Sequence, residues 1–120
     1  MKLIIAGSRG LNISLRQVDE HVKLFEEELD RRVTEVFSGL ARGPDLAGHA
    51  WATRKGIVVR EYAADWEKYG KRAGIIRNQM MGNSADALLA FYDGESRGTK
   101  HMLEYMYSFP KPVMLVSCSP

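Results

Sequence analysis

The sequence predicts an α/β domain, because five short apolar runs alternate with four stretches of helical periodicity along its 120 residues. Three of the turns leading from an apolar run into a helix carry glycine, a hydroxyl side chain and arginine together. No internal repeat, low-complexity tract or linker-like segment breaks the alternation, so residues 1–120 are expected to form one domain. That length suffices to bury a core without disulfides or metal.

Leu3-Ile4-Ile5-Ala6 is a continuous apolar run closed by Gly7, the pattern of a strand buried on both faces of a parallel sheet. Ser14-Leu15-Arg16-Gln17 has capping-box form, and Leu15, Val18, Val22, Phe25 and Leu29 recur at helical spacing through Asp30. Residues 34–38 form a shorter strand, after which Pro44 suits the first turn of a helix that ends before Gly56. Residues 57–62 follow as a β-branched strand. A loop over residues 63–70, a helix from Lys71 to about Gly82, a strand over residues 87–92 and a helix over residues 99–109, stopped by Pro110, complete the alternation up to a last strand at residues 112–116. Residues 117–120 read as a frayed tail.

Strands alternating with helices imply right-handed crossovers, hence a three-layer α/β/α Rossmann-like sandwich around a five-stranded parallel sheet. The order 3-2-1-4-5 is preferred because it puts the switch point between the first and fourth strands, where ligand crevices open in such sheets.

Composition narrows the function. The formal net charge is +2 with acidic and basic residues interspersed, which excludes the concentrated basic stripe of a dedicated duplex-DNA reader and suits a small ligand. Cys118 is the single cysteine, so no intramolecular disulfide and no Cys-x-x-Cys pair exists, and a reducing cytoplasm is expected. The apolar run of residues 1–6 is too short for a signal-peptide core, and no stretch approaches a membrane span. His21, His49 and His101 lack metal-ligand spacing and read as helix-surface residues, while Met80, Met81, Met102 and Met106 read as core filler. No metal and no cofactor is expected.

The candidate chemistry lies in the three loops, Gly7-Ser8-Arg9, Ser38-Gly39-Leu40-Ala41-Arg42-Gly43 and Ser96-Arg97-Gly98-Thr99. Glycine lets backbone N–H groups approach a ligand, hydroxyls add donors, and arginine offers a bidentate fork beside a helix N-terminus. Together they read as a phosphate cradle. The second loop, continuing into Pro44-Asp45, is neither a P-loop nor a G-x-G-x-x-G fingerprint, and it fits a plain turn and helix cap equally well. In the third, Thr99 is expected to cap its helix, and Arg97 points either into the site or into solvent. Arg77-Asn78 sits inside the third helix, after a segment whose Trp66 and Tyr69 either stack on a base or simply pack.

At these residues the chain resembles the SLOG superfamily, and within it the YspA/YpsA-related branch of small Rossmann-like domains common in bacteria and phages. The resemblance runs nearly the full length, through Gly7-Ser8-Arg9, residues 38–45, Ala64-Asp65-Trp66, Gly70, Ala73-Gly74, Arg77-Asn78-Gln79-Met80-Met81, Ala90-Phe91 and Ser96-Arg97-Gly98-Thr99. It implies a sensor or processor of nucleotides or nucleotide-derived molecules. LOG phosphoribohydrolases, relatives that cleave the N-glycosidic bond of nucleoside 5′-monophosphates, carry R-K-x-x-M where this chain has Arg77 to Met81. Their P-G-G-x-G-T-x-x-E pattern falls on the segment ending Gly98-Thr99-Lys100-His101-Met102, which keeps the phosphate-binding Gly-Thr but puts Met102 at the catalytic glutamate position.

Glycosidic cleavage builds positive charge on the sugar, which a carboxylate stabilises and methionine does not. The first reading is therefore a binding module, with phosphate held by Gly39, Arg42, Gly43, Gly98 and Thr99 and clamped by Arg77, and with Gly7, Ser8 and Arg9 opposite. Arg42 and Arg77 are each expected to contribute about 1.5–3 kcal/mol. The enzyme reading keeps this pose and adds hydrolysis with Asp65 or Asp45 as the carboxylate. A third reading is single-stranded nucleic-acid contact, since the DNA-processing protein DprA shares the superfamily and such a groove needs only arginines and stacking aromatics. A homo-oligomer is compatible with the resemblance.

Overall fold

The computed structural model describes residues 1–119, so the last residue of the expected frayed tail, Pro120, lies outside the described residues. Five strands, β1 (Lys2–Gly7), β2 (Glu35–Ser38), β3 (Val58–Glu61), β4 (Ala87–Tyr92) and β5 (Val113–Ser117), form one parallel sheet in the order β3-β2-β1-β4-β5. That is the expected topology. Central β1 pairs on both sides, with Ile4 opposite Phe37 and Leu88, and Ile5 opposite Leu89.

Helices α1 (Leu15–Leu29) and α2 (Pro44–Arg54) cover one face, while α4 (Ala73–Ser84) and α5 (Arg97–Tyr107) cover the other; the one-turn α3 (Trp66–Tyr69) precedes α4. Side chains alternate along β1, so Leu3 and Ile5 join Val18, Val22, Phe25 and Trp51 in one core, whereas Ile4 and Ala6 join Phe37, Met81, Met102 and Met106 in the other. Both faces of the central strands are thus dry, which the unbroken apolar runs require. Helix α1 starts with the full capping box, Ser14 accepting from the Gln17 N–H and Gln17 from the Ser14 N–H.

Several boundaries differ from expectation, and the expected tail is in part ordered: Ser117 ends β5, and the Cys118 N–H donates to the Tyr92 carbonyl at 2.8 Å. The loop over residues 63–70 contains α3, because the Asp65 carboxylate accepts the Lys68 N–H at 3.1 Å and winds one turn too short to leave a periodic signature. Gly70, with φ +56°, breaks that turn, and a 3₁₀ turn at Gly70–Arg72 delays α4 to Ala73. Helix α5 starts two residues early with Ser96, not Thr99, as its cap: Asp93 Oδ1 accepts the N–H groups of Glu95 and Ser96 at 2.8 and 2.9 Å and turns the chain through Gly94, which holds φ +86°. It stops at Tyr107, since the residue before Pro110 disfavours helical geometry. Met80, expected in the core, is 53% exposed on the outer face of α4.

The amino edge of the sheet is closed by polar partners. The Met1 ammonium donates to the Arg32 carbonyl; Lys2 N–H donates to Asp86 Oδ2 and Asp86 N–H to the Lys2 carbonyl, both at 2.8 Å. Val33 N–H donates to Glu26 Oε2 at 2.9 Å. Among the described residues no helix is long and apolar enough to cross a membrane.

Candidate functional site

At the carboxyl edge the chain opens instead. A cavity of about 330 Å³ lies over the ends of β1 and β4, lined by Gly7 and Arg9 from the first loop, Ala41 and Asp45 from the second, Arg77 and Asn78 from α4, and Asp93, Ser96, Gly98 and Thr99 from the third. Its position is the switch point of the sheet, where the connections from β1 and β4 depart to opposite faces. Met102, 1% exposed, forms part of the wall.

The loops are tied to one another. Gly43 has φ +82°, and a Cβ there would lie 3.0–3.2 Å from the carbonyl oxygens of Leu11, Ser8 and Arg9, so glycine is needed both for the backbone angle and for the approach of the first loop. Ser8 is buried; its hydroxyl lies 3.4 Å from that of Thr99 and accepts the Asp93 N–H at 3.2 Å. The Thr99 hydroxyl in turn meets that of Ser96 at 3.1 Å. Ser38, also buried, donates to the Asp45 carbonyl and accepts from Leu40 N–H, so it shapes the second loop from beneath. The first helical N–H groups of α5, at Arg97 and Gly98, have no intrahelical partner, and Gly98 lies in the cavity wall.

Two arginines line this cavity, Arg9 and Arg77. Arg77 is half-buried: its Nη1 donates to the Gly39 carbonyl at 2.7 Å and its Nε to Asn78 Oδ1 at 3.1 Å, leaving Nη2 for a ligand. Asn78 is fixed at its other end by donating to the Gly98 carbonyl, and it lies 3.3 Å from His101 Nδ1, so His101 is half-buried beside the site and not on a free helix surface. Arg9 is exposed and makes no hydrogen bond or ion pair among the described residues. Arg42 and Arg97, the arginines of the other two loops, are exposed and line no part of the cavity. Their neighbours point inward, and they point to solvent.

Asp45 is the buried charge of the site, 5% exposed at the start of α2. Burial pushes its carboxyl up to about 6, against the opposing pull of Arg77, the N–H groups of Gly7 and Ala41, and Arg9. Gly39 makes room for it: a Cβ at that position would stand 2.8 Å from Asp45 Oδ2 and 2.9 Å from Arg77 Nη1. Burial also lowers the Arg77 guanidinium below its usual range, an effect that Asp45 partly offsets. Asp65, the other expected carboxylate, is exposed, caps α3 and lies outside this cavity. Trp66 and Tyr69 are likewise exposed and belong to neighbouring hollows. Gly10 and Ala41 line the cavity without any side-chain chemistry that a sequence could betray.

No family model and no solved structure matches the chain. The Gene 61 protein of Mycobacterium phage D29 is 39% identical to it over 85 residues, spanning 66% of this chain and 68% of the phage protein. This chain belongs to the family of that phage protein. Among the described residues no cluster of three or more His, Cys, Asp or Glu side chains is placed to hold a metal ion.

Proposed function

We propose that this chain binds a nucleotide or nucleotide-derived ligand at the carboxyl edge of the sheet, as a sensor or processing module of the SLOG type. The observation that carries the reading is the cavity wall itself, which sets Arg9, the free end of Arg77 and the open N–H groups of α5 around Asp45. Arginine forks and a helix N-terminus suit phosphate oxygens. An ionised carboxylate between them accepts hydrogen bonds only, which suits the hydroxyls of a sugar. A bare anion satisfies half of this wall; a phosphorylated sugar satisfies both halves.

Titrating the protein with nucleoside 5′-monophosphates by calorimetry tests the reading. Saturable binding that weakens at least tenfold in Arg77→Ala supports it, whereas no binding of any monophosphate, or unchanged affinity in Arg77→Ala, overturns it. Steep salt-dependent binding of oligonucleotides in the absence of monophosphate binding would replace it with the single-strand reading.

The burial of Asp45 favours a second reading, hydrolysis of the N-glycosidic bond. A carboxylate held against the cavity wall can stabilise the positive charge that develops on the sugar, in place of the glutamate whose position Met102 fills. Release of free base from a monophosphate by the wild-type chain, abolished in Asp45→Asn, supports hydrolysis; bound but intact nucleotide leaves the binding module.

A further inference from the structure

Beyond the main cavity lies a second hollow of about 230 Å³, lined by Arg9, Gly39, Leu40, Ala41, Ala63, Ala64, Trp66 and Arg77. Arg9, Ala41 and Arg77 line both, so the two rooms share a wall and meet at the two arginines. Their characters differ. The main room offers hydroxyls, carboxylates and helix N–H groups, whereas the second offers Leu40, three alanines and the indole of Trp66.

Three observations bear on what fits there. Trp66 is 53% exposed although it is among the largest apolar side chains of the chain, and its ring edge reaches back over Gly74, where a Cβ would lie 3.7 Å from Cη2 and 3.8 Å from Arg77 Nη2. The indole and the free end of Arg77 therefore flank one spot at the start of α4. Leu40 holds φ +64°, a left-handed backbone unfavourable for a leucine, and it lines this room and not the polar one. Tyr69 lines a third hollow, which shares Ala63 and Arg77 with this room but lacks Arg9 and Trp66, and the Lys68 ammonium sits 5.1 Å from the Tyr69 ring centre.

We infer that the second room is a subsite for a planar aromatic ring, with Trp66 as its stacking platform, so that the site accommodates an aromatic base in one room and its sugar-phosphate in the other. The inference rests on the nucleotide reading of the main cavity and deepens it by assigning the base. An apolar room opening onto two guanidinium groups suits a ring that is flat, weakly polar and joined to an anion. The main room alone is near the lower end of the range of ligand pockets, about 300–1,000 Å³, and the adjoining room brings the site well within it. A ring stacked on Trp66 leaves the glycosidic linkage near the shared wall of Arg9, Ala41 and Arg77.

Trp66 is one of two tryptophans, and the other, Trp51, is a buried residue of α2 whose indole N–H donates to Asp19 of α1. The test measures binding of ribose 5-phosphate and of the four nucleoside 5′-monophosphates by calorimetry and by tryptophan fluorescence, in the wild-type chain, Trp66→Phe and Trp66→Ala, with circular dichroism to verify folding. The expected result is that at least one monophosphate binds about fivefold or more tighter than ribose 5-phosphate, the scale of one stacked base, and quenches the fluorescence. Trp66→Phe keeps most of that advantage, while Trp66→Ala loses both advantage and quenching with unchanged affinity for ribose 5-phosphate. If ribose 5-phosphate binds but the advantage is missing, or survives in Trp66→Ala, the subsite is overturned and the phosphate site stands. If neither probe binds, both fall.

Discussion

The two ends of the sheet treat polar groups in opposite ways. At the amino edge, Met1, Lys2, Val33 and Asp86 are paired with neighbours whose geometry closes the strand ends. At the carboxyl edge, Arg9 has no partner among the described residues, Arg77 keeps Nη2 free, and the first N–H groups of α5 stand open. Both ends are rich in charge, so charge content alone does not separate them. What separates these particular groups is satisfaction: those named at the amino edge are paired and hold the fold, whereas those left unpaired around the switch-point cavity are available to a ligand.

The largest effect expected from this contrast is a pH dependence of stability centred on Asp45. Its carboxyl stands at about 6 in the folded chain against an ordinary value of 3.8. The folded state therefore holds the proton more tightly than the unfolded state, and stability is full below about pH 4 and falls by about 3 kcal/mol as pH rises through 6. Denaturant midpoints between pH 4 and 7 should show this fall in the wild-type chain and not in Asp45→Asn. In Arg77→Ala, which removes the leading charge that lowers Asp45, the fall should extend to higher pH.

Next in size, Arg77→Ala should weaken phosphate-ligand binding by about 1.5–3 kcal/mol, read by titration, because a charge-assisted bond is lost. At the closed end, Asp86→Ala should cost about 1 kcal/mol of stability through the lost Lys2 N–H bond and leave ligand affinity unchanged. The smallest effect is expected at Arg42→Ala, within about 0.5 kcal/mol in both stability and binding, since that side chain is exposed and away from the cavity. A loss at Arg42 equal to that at Arg77 would erase the distinction between inward and outward arginines.

Much of this architecture was legible before any coordinate. The alternation of apolar runs with helical periodicity, and the capping box at Ser14, betray the fold class and the first helix because both signals are local, whereas the strand order followed only from the preference for a switch point between the first and fourth strands. The three loops were legible as a common edge for the same reason. Arg77 was expected at the site from the resemblance, but which loop arginines turn away was not legible. Arg42 and Arg97 lie in the loops themselves but turn outward, whereas Arg77 reaches the site from within α4 because its guanidinium crosses to the Gly39 carbonyl, 38 residues away in sequence. Side-chain direction at a helix start depends on what packs against it, and no local pattern encodes that. The single turn of α3 escaped for a simpler reason: four residues hold no periodicity, and only the Asp65 cap foreshadows it.

The contact of Gly43 with three carbonyls of the first loop, and the hydroxyl chain from Ser8 through Thr99 to Ser96, join three loops of distant sequence into one stiff rim. A stiff rim has little freedom left to lose when a guest arrives, so the ordering cost that weakens many small-molecule complexes is already met in folding. Association should accordingly proceed without a slow rearrangement step, and a mutation that loosens Gly43 should lower affinity through entropy while leaving every ligand-touching side chain intact.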